Sequence, residues 1–343
     1  MFLKLFRIKT NLTITIVVIV SFFQCSLVSA NNTKIGFLLD DISIERWASD
    51  QKYLQISAKD QGYELLIGNA FNDQQKQIEQ ANEMIKAGVK VLIVVAVDAY
   101  KAVRIVENAH ASGVKVIAYD RLIMNCNLDA YISYDNEMIG VIMAEYITMR
   151  KPKGNFAYIG GPKSDRNSLL IRKGIMGYLK PFIDDKSITF VCDTFTQNWI
   201  VEDAYLIFKK YLESGKQIPD VVFAGNDQLA LGIINVLDNK GLTEKVLVTG
   251  QDAELTACRN IVNGRQTLTI FKPTRTLADR AILLTSWLLG EIVFDIDDKI
   301  NNGKFNVPYF KLFPVPVDRR NMRTSVIMDQ FHTEDEIYKD EKN

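Results

Sequence analysis

The sequence has 343 residues, with 41 basic and 41 acidic side chains and a formal net charge of zero. At about 100–200 residues per domain, this length predicts two domains. Hydrophobic residues make up 48% and charged residues 24%, a mixture that excludes a disordered, collagen-like or multi-span membrane chain. The even charge balance also argues against nucleic acid as a partner, because phosphate binding requires a basic surface.

Residues 1–30 have the layout of a secretory signal. Three basic residues stand before position 10, no charged residue occurs over 10–33, and Val28 and Ala30 provide small residues for cleavage after Ala30. The alternative is an uncleaved membrane anchor, since about 20 apolar residues can cross a bilayer. In either case the basic residues keep the N-terminus inside, so the protein is expected in the periplasm or on the outer face of the membrane. Cys25 follows Phe-Phe-Gln, which argues against a lipid-attachment site.

From residue 34 onward, β-branched runs alternate with longer helical patterns. The pattern predicts strands at 34–39, 63–67, 89–96 and 114–119, and helices at 44–61, 73–87 and 99–112. Glycine follows each of these helices, as expected for the left-handed residue after a helix end. Such alternation is typical of βαβ units on a parallel sheet.

The same pattern returns in the second half of the chain. It predicts strands at 155–159, 188–191, 220–223 and 245–249, and helices at 166–179, 200–213, 227–239 and 253–262. A further strand at 266–271, a helix at 274–289 and a strand at 307–313 remain, which indicates that the chain crosses back between two halves. The fold class is therefore α/β, with two doubly wound parallel-sheet lobes.

Catalysis and metal binding have little support in the sequence. Beyond residue 30 there are three widely spaced cysteines and two histidines, with no Cys-x-x-Cys pair. Glycine-rich phosphate loops and the Gly-x-Ser-x-Gly motif are also missing from the sequence. We therefore expect neither an enzyme, nor a cofactor, nor a metal site.

Polar side chains follow nearly every predicted strand. Ligands of open α/β sheets bind beyond the carboxyl ends of the strands, so these residues are candidates for one site. They are Asp40, Asp41, Arg46, Trp47, Asp98, Asp120, Arg121, Asp135, Asn136, Asp165, Asn167, Trp199, Asn226, Asp227, Gln251, Asp252 and Lys272. A single aspartate at a helix start usually caps the helix, but this many polar groups predict a ligand. Carboxylates, amides and guanidinium groups beside tryptophans suit the hydroxyls and the apolar face of a sugar.

The motifs also resemble a known family. Those that carry the resemblance are Lys34-Ile35-Gly36, Asp40-Asp41, Glu45-Arg46-Trp47, Ala118-Tyr119-Asp120-Arg121, Ile132 to Glu137, Gly160-Gly161 through Asn167, Asn226-Asp227, Gly250-Gln251-Asp252-Ala253 and Phe271-Lys272-Pro273. In order and spacing, from about residue 34 to about 290, they are similar to the xylose-binding branch of the sugar-binding proteins of ABC transporters. These proteins have the type I periplasmic binding protein fold.

The resemblance implies a three-segment hinge, with crossings near residues 135, 271 and 300. It implies a first lobe of 31–134 plus 272–300 and a second lobe of 135–271 plus 301–330, followed by a charged, solvated tail at 331–343. It also implies ligand contacts from ten residues, the two tryptophans providing the aromatic ones: Arg46, Trp47, Asp120, Arg121, Asp165, Asn167, Trp199, Asn226, Asp227 and Lys272.

Several of these assignments have alternatives. Trp47 and Trp199 fit a core position as well, and Asp252 fits a helix cap. Asp135-Asn136 fits a hinge or cap, and Asp41 a cap on the helix at 44. The basic residues within 163–167 and the sequence at 196–198 depart from the family, which leaves the identity of the monosaccharide open.

The expected function is an extracytoplasmic receptor that closes two lobes around a monosaccharide, D-xylose first among the candidates, and delivers it to an ABC permease. The alternative is a membrane-anchored sensor that reports the sugar to a histidine kinase of a two-component system. The long uncharged N-terminal stretch motivates that alternative.

Overall fold

The computed structural model describes residues 33–339. The predicted signal or anchor at 1–30 and the last four residues of the predicted tail lie outside the described residues. Over 33–339, no helix is both long enough and apolar enough to span a bilayer.

Thirteen strands and ten α-helices alternate along the described chain. The strands are β1 Lys34–Leu39, β2 Glu64–Asn69, β3 Val91–Val94, β4 Lys115–Tyr119, β5 Ala130–Tyr134, β6 Gly154–Gly160, β7 Ile188–Phe195, β8 Val221–Ala224, β9 Leu247–Gln251, β10 Leu268–Phe271, β11 Lys299–Asn301, β12 Asn306–Leu312 and β13 Val315–Val317. The helices are α1 Glu45–Asp60, α2 Gln74–Lys86, α3 Val103–Ala111, α4 Asn136–Thr148, α5 Arg166–Asp184, α6 Val201–Glu213, α7 Asp227–Asn239, α8 Leu255–Val262, α9 Thr274–Leu288 and α10 Glu334–Ile337. A single π-helical turn covers Arg323–Ile327.

The strands form two sheets, each the centre of one lobe. The first lobe has seven strands in the order β11-β12-β5-β4-β3-β1-β2, and the second has six in the order β13-β10-β9-β8-β6-β7. All pairs are parallel except β11–β12 and β10–β13, which lie at the sheet edges. The central strands β3 and β8 are buried along their whole length, because helices cover both faces of each sheet.

Helices on both faces bury the apolar side chains of each sheet. In the first lobe, α2 and α3 cover one face and α1 and α9 the other. In the second lobe, α6 and α7 cover one face and α4 and α5 the other. The carboxyl ends of the parallel strands in both sheets are left free of these layers, and that is where the polar side chains collect.

The chain passes between the lobes three times. The crossings lie between β5 and α4, between β10 and α9, and between β12 and β13. The boundary expected near residue 300 is wrong, because β12 pairs in parallel with β5 of the first lobe. Residues 301–312 therefore belong to the first lobe, and the third crossing lies at 313–314. Without β12, β5 would be an unpaired edge strand, although its residues are fully buried.

The predicted solvated tail is also wrong over its described part. Ile337 and Tyr338 are 1% and 6% exposed and pack in a cluster with Phe271 and Val317 of the second lobe. Thr333 and Glu336 form a capping box that starts α10. The charged residues of this segment face solvent, but its apolar residues extend the core of the second lobe.

Candidate ligand-binding site

A small cavity lies between the lobes, at the carboxyl ends of their strands. Its volume is about 40 Å³, which holds only a few water molecules at about 10–15 Å³ each. The residues that line it are Ile44, Arg46, Trp47, Asp120, Arg121, Asp165, Asn167, Trp199, Asn226, Gln251, Asp252 and Lys272. The lobes are thus closed on one another, and side chains of opposite lobes meet directly where a ligand would bind.

Arg46 is the central cation of the site. It lies at the start of α1 and is 4% exposed. Its Nη2 atom donates to Oδ1 of Asp120 at 2.5 Å, and its Nη1 atom lies 3.6 Å from Oδ1 of Asp252 in the second lobe. Asp120 follows β4 with a φ of 60°, a left-handed conformation that aspartate tolerates better than most residues. The guanidinium therefore joins carboxylates of both lobes.

Arg121 makes a second connection between the lobes. Its Nη1 atom donates to Asp40 of the first lobe at 2.5 Å, and its Nε atom lies 3.2 Å from Oδ2 of Asp165 in the second. Trp47 lies against both arginines, with guanidinium carbons 4.5 Å and 5.6 Å from its ring centroid. Trp47 is therefore part of the cavity wall, held there by cation–π contacts.

Asp165 and Asn167 come from the start of α5. Asp165 caps the helix, because its Oδ1 accepts from the Asn167 backbone N–H at 2.9 Å. Its other oxygen accepts from Nε1 of Trp199 at 3.2 Å. The side-chain amide of Asn167 donates across the cleft to the carbonyl and carboxylate of Asp120, both at 3.2 Å. One helix start thus carries both a cap and two cavity-facing groups.

Lys272 lies at the second crossing between the lobes. It is 3% exposed, and its ammonium lies 2.8 Å from Asp252 and 3.9 Å from Asp120. Asp252 has a φ of 97°, and the N-cap position of α8 is occupied by Glu254. Asp252 therefore points into the cavity and does not cap α8.

Nine of the ten residues predicted to contact ligand line the cavity, and Asp227 does not. Asn226 lines it and also caps α7 by accepting from the Leu229 N–H at 3.0 Å. Asp227 accepts from Gln266 and Thr269 at 2.8 Å and from the Glu254 backbone at 3.1 Å. These bonds hold the start of α7 against β10 and the start of α8. Asp227 therefore supports the wall from behind, since the next position on a helix turns to another face.

Gln251 and Asp252 line the cavity, although neither is among the ten residues predicted to contact ligand. The sequence signal for both is their position at the carboxyl end of β9, where Gln251 is the last residue of the strand and Asp252 follows it. Asn136 acts from behind the wall, because its amide donates to Oδ1 of Asn167 at 3.0 Å and is 2% exposed. Asp135 caps α4 through the Met138 N–H.

The charges of the lining are balanced. Three cations, Arg46, Arg121 and Lys272, face three aspartates, Asp120, Asp165 and Asp252. Burial acts to raise the pKa of Asp120, but Arg46 and Lys272 outweigh it and lower the pKa to about 2. Burial raises the pKa of Asp165 in spite of Arg121. A balanced set of donors and acceptors suits a neutral ligand with many hydroxyls, each of which both donates and accepts.

A metal centre has no basis in the described part of the chain. Over residues 33–339, no group of three or more His, Cys, Asp and Glu side chains is placed to hold a metal ion. Cys126 and Cys258 are buried, and burial raises the pKa of both thiols. These cysteines are core residues.

Two hinged lobes that share one polar cleft define a ligand-binding protein. The family model described as periplasmic binding protein domain matches residues 35–290. The chain belongs to this family, whose members bind solutes and are not enzymes.

Relatives cover nearly the whole chain. The D-xylose-binding periplasmic protein of Haemophilus influenzae is 38% identical over 332 residues, 97% of this chain and 99% of that protein. The protein of the same name from Escherichia coli K12 is 35% identical and covers 90% of this chain and 93% of its own length. The expected membership of this sugar-binding branch is confirmed.

Solved structures have the same fold. An ABC transporter solute binding protein of Clostridium phytofermentans, with bound β-D-glucose, has a TM-score of 0.80 at 29% identity. The match covers 89% of this chain and 100% of that one. The predicted type I fold with two α/β lobes is confirmed.

Proposed function

We propose that this protein is an extracytoplasmic receptor that binds one monosaccharide, D-xylose, in the cleft and delivers it to an ABC permease. The observation that carries the proposal is the set of polar contacts across the cleft, above all Arg46 with Asp252 and Asn167 with Asp120. The two relatives named for D-xylose, at 38% and 35% identity, support this choice of sugar.

The proposed binding step is an exchange of partners. Opening of the lobes separates the cross-cleft pairs, and the sugar then enters and takes over their donors and acceptors. Closure is favoured because only the closed form lets both lobes contact the ligand at once. An analogue that lacks one hydroxyl leaves a buried group unpaired, which is the source of steep discrimination.

The nine lining residues of the predicted set are the proposed contacts. Arg46, Arg121 and Lys272 would donate to hydroxyls, and the aspartates and asparagines would complete the hydrogen bonds. Trp47 and Trp199 would pack on the apolar face of the ring.

Calorimetric titration of the mature protein tests the ligand. D-xylose should bind with a dissociation constant in the micromolar range or tighter, about 8 kcal/mol or more. Ribose, arabinose, glucose and galactose should bind more weakly. Heat from a different sugar alone would show that the ligand is wrong, and no heat with any sugar would overturn the function.

A lysine pair tests the site in the same titration. Lys272→Met removes the cation nearest to Asp252 and should weaken binding by about 100-fold, since breaking a charge pair that involves a buried lysine costs about 2–5 kcal/mol. Lys180→Met is the matched control, because Lys180 pairs with Asp184 on the surface of α5. Equal affinity in the two variants would contradict the assignment of Lys272.

The mature N-terminus tests location and output. A receptor released by cleavage should begin at Asn31. An intact N-terminus on membrane-bound protein would instead support the anchored sensor that reports to a kinase.

A further inference from the structure

Asp50 lies directly behind the cavity wall, and none of its atoms lines the cavity. It stands one turn after Arg46 on α1 and is 0% exposed. The hydroxyl of Tyr119 donates to its Oδ1 atom at 2.5 Å. Its Oδ2 atom lies 3.4 Å from Nε of Arg46. Burying a carboxylate completely costs free energy. Its presence here therefore indicates a role that an apolar residue could not fill.

We propose that Asp50 is a positioning residue for sugar binding, which acts by fixing the direction of the Arg46 guanidinium. This inference rests on the proposed function of the cleft. Asp50 faces the inner edge of the guanidinium, Asp120 holds one terminal nitrogen, and the other terminal nitrogen points to Asp252 in the opposite lobe. With two sides of the planar group held within the first lobe, the third is presented to the ligand and to the second lobe.

The carboxylate is chemically required in this arrangement. One of its oxygens accepts from the Tyr119 hydroxyl, and the other lies 3.4 Å from Nε of Arg46 as the anion of an ion pair. Oδ2 of Asp50 and Nε of Arg46 are both buried, and neither makes a hydrogen bond within the described residues, so an ion pair at 3.4 Å is what joins them. An amide carries no charge, so asparagine could still accept from Tyr119 but would not attract the guanidinium of Arg46.

Because the carboxyl of Asp50 is titratable, the proposal predicts that sugar affinity depends on pH. Burial raises the pKa of Asp50 to about 7, against the lowering effects of Arg46 and the Tyr119 hydroxyl. The charged and titratable groups that face it are Arg46 on its own helix, Tyr119 and Asp120 at the end of β4, Tyr134 at the end of β5, and Lys272. Only the ionised form attracts Arg46. Sugar affinity should therefore be full above this pKa and decrease as the pH falls through it.

The test compares wild type with Asp50→Asn in D-xylose titrations between about pH 5.5 and pH 8.5, a range that spans the titration of the carboxyl. Wild type should lose several-fold in affinity towards the acid end. At the alkaline end of this range, where the wild-type carboxyl is ionised, the variant should bind about tenfold more weakly because its amide does not attract Arg46. Its affinity should depend little on pH. Its ligand-free melting temperature at pH 8 should be no lower than that of wild type, because a buried charge has been removed.

Three further variants separate this role from others. Tyr119→Phe removes a donor to the ionised form and should shift the midpoint of the pH profile upward. Glu254→Gln should keep the wild-type midpoint, although burial and Asp252 raise the pKa of Glu254 to about 8. Asp60→Asn, at the exposed end of the same helix, should behave as wild type.

Distinct results would overturn the proposal. Wild-type affinity and pH dependence in Asp50→Asn would contradict it, as would an unshifted midpoint in Tyr119→Phe. A lower melting temperature with an unaltered pH profile would show a purely structural role. If wild type binds no sugar at all, the proposed function fails first and the role of Asp50 falls with it.

Discussion

The indole ring of Trp199 packs against the backbone of two glycine residues. A Cβ atom added to Gly161 would lie 2.4 Å from two carbons of the indole ring, and one added to Gly225 would lie 3.0 Å from a third. The distance at Gly161 is shorter than carbon atoms can approach, and the distance at Gly225 is tighter than most carbon contacts. The position of the indole ring therefore requires glycine at 161 and is favoured by glycine at 225. Since Nε1 of Trp199 also donates to Asp165, the indole is fixed both by its face and by its edge.

We expect Gly161→Ala to weaken sugar binding by about tenfold or more, because the methyl group pushes the indole into the space that the sugar would occupy. Calorimetry measures the affinity, and the tryptophan emission of the ligand-free protein should shift. Gly177→Ala is the control: no atom lies within 4 Å of the added Cβ, and alanine should stabilise α5 by about 0.5–1 kcal/mol. Unchanged affinity in Gly161→Ala would show that Trp199 does not need this position.

At the same scale, aspartate and asparagine residues show how far a sequence can be interpreted. Asp165 and Asn226 each cap a helix and also line the cavity, so the two roles are not exclusive. Asp227 has the same residue type and a similar position, yet it faces Gln266 and Thr269. A residue at the start of a helix can face the cavity or a neighbouring strand, and the packing of that strand decides between the two. The residue type alone does not predict the outcome.

At the scale of elements, the β-branched runs and glycine-terminated helices were sufficient to predict most of both lobes. The pair β5 and α4 was not predicted from periodicity. α4 packs closely on α5 and is apolar over much of its surface, which weakens the 3.6-residue pattern. Gly140 and Gly174 permit that packing, because an added Cβ at either would lie 2.0 Å from a backbone carbonyl of the other helix.

The third crossing was misplaced for a different reason. β12 is next to β5 in the sheet but about 170 residues away in the chain, and strand order is a non-local property. Local pattern identified the strand at 307–313 but not its lobe. Local pattern was also insufficient for the C-terminal segment. Its charged composition concealed three apolar residues, Phe331, Ile337 and Tyr338, that pack in the core of the second lobe.

At the scale of the whole molecule, one cross-lobe contact lies outside the cavity. Glu45 begins α1 in the first lobe, and its carboxylate oxygens lie 3.4 and 3.5 Å from the backbone N–H of Leu255, the first residue of α8 in the second. One of these oxygens is also 3.3 Å from Nε2 of His332. A carboxylate at a helix N-terminus is stabilised by the helix dipole. Because no lining residue takes part, this contact can persist when a sugar replaces the pairs inside the cleft.

Glu45→Gln should therefore weaken sugar binding modestly, by up to about fivefold, which corresponds to the ~0.3–1 kcal/mol of a charge at a helix end. The loss should appear as faster sugar release, because the contact exists only when the lobes are closed. Stopped-flow tryptophan fluorescence measures that rate. Added salt should reduce the difference from wild type, since the partly exposed carboxylate is screened. Glu64→Gln is the matched control, as Glu64 pairs with Lys34 within the first lobe. Equal release rates for Glu45→Gln and the control would mean that the contact does not hold the closed form.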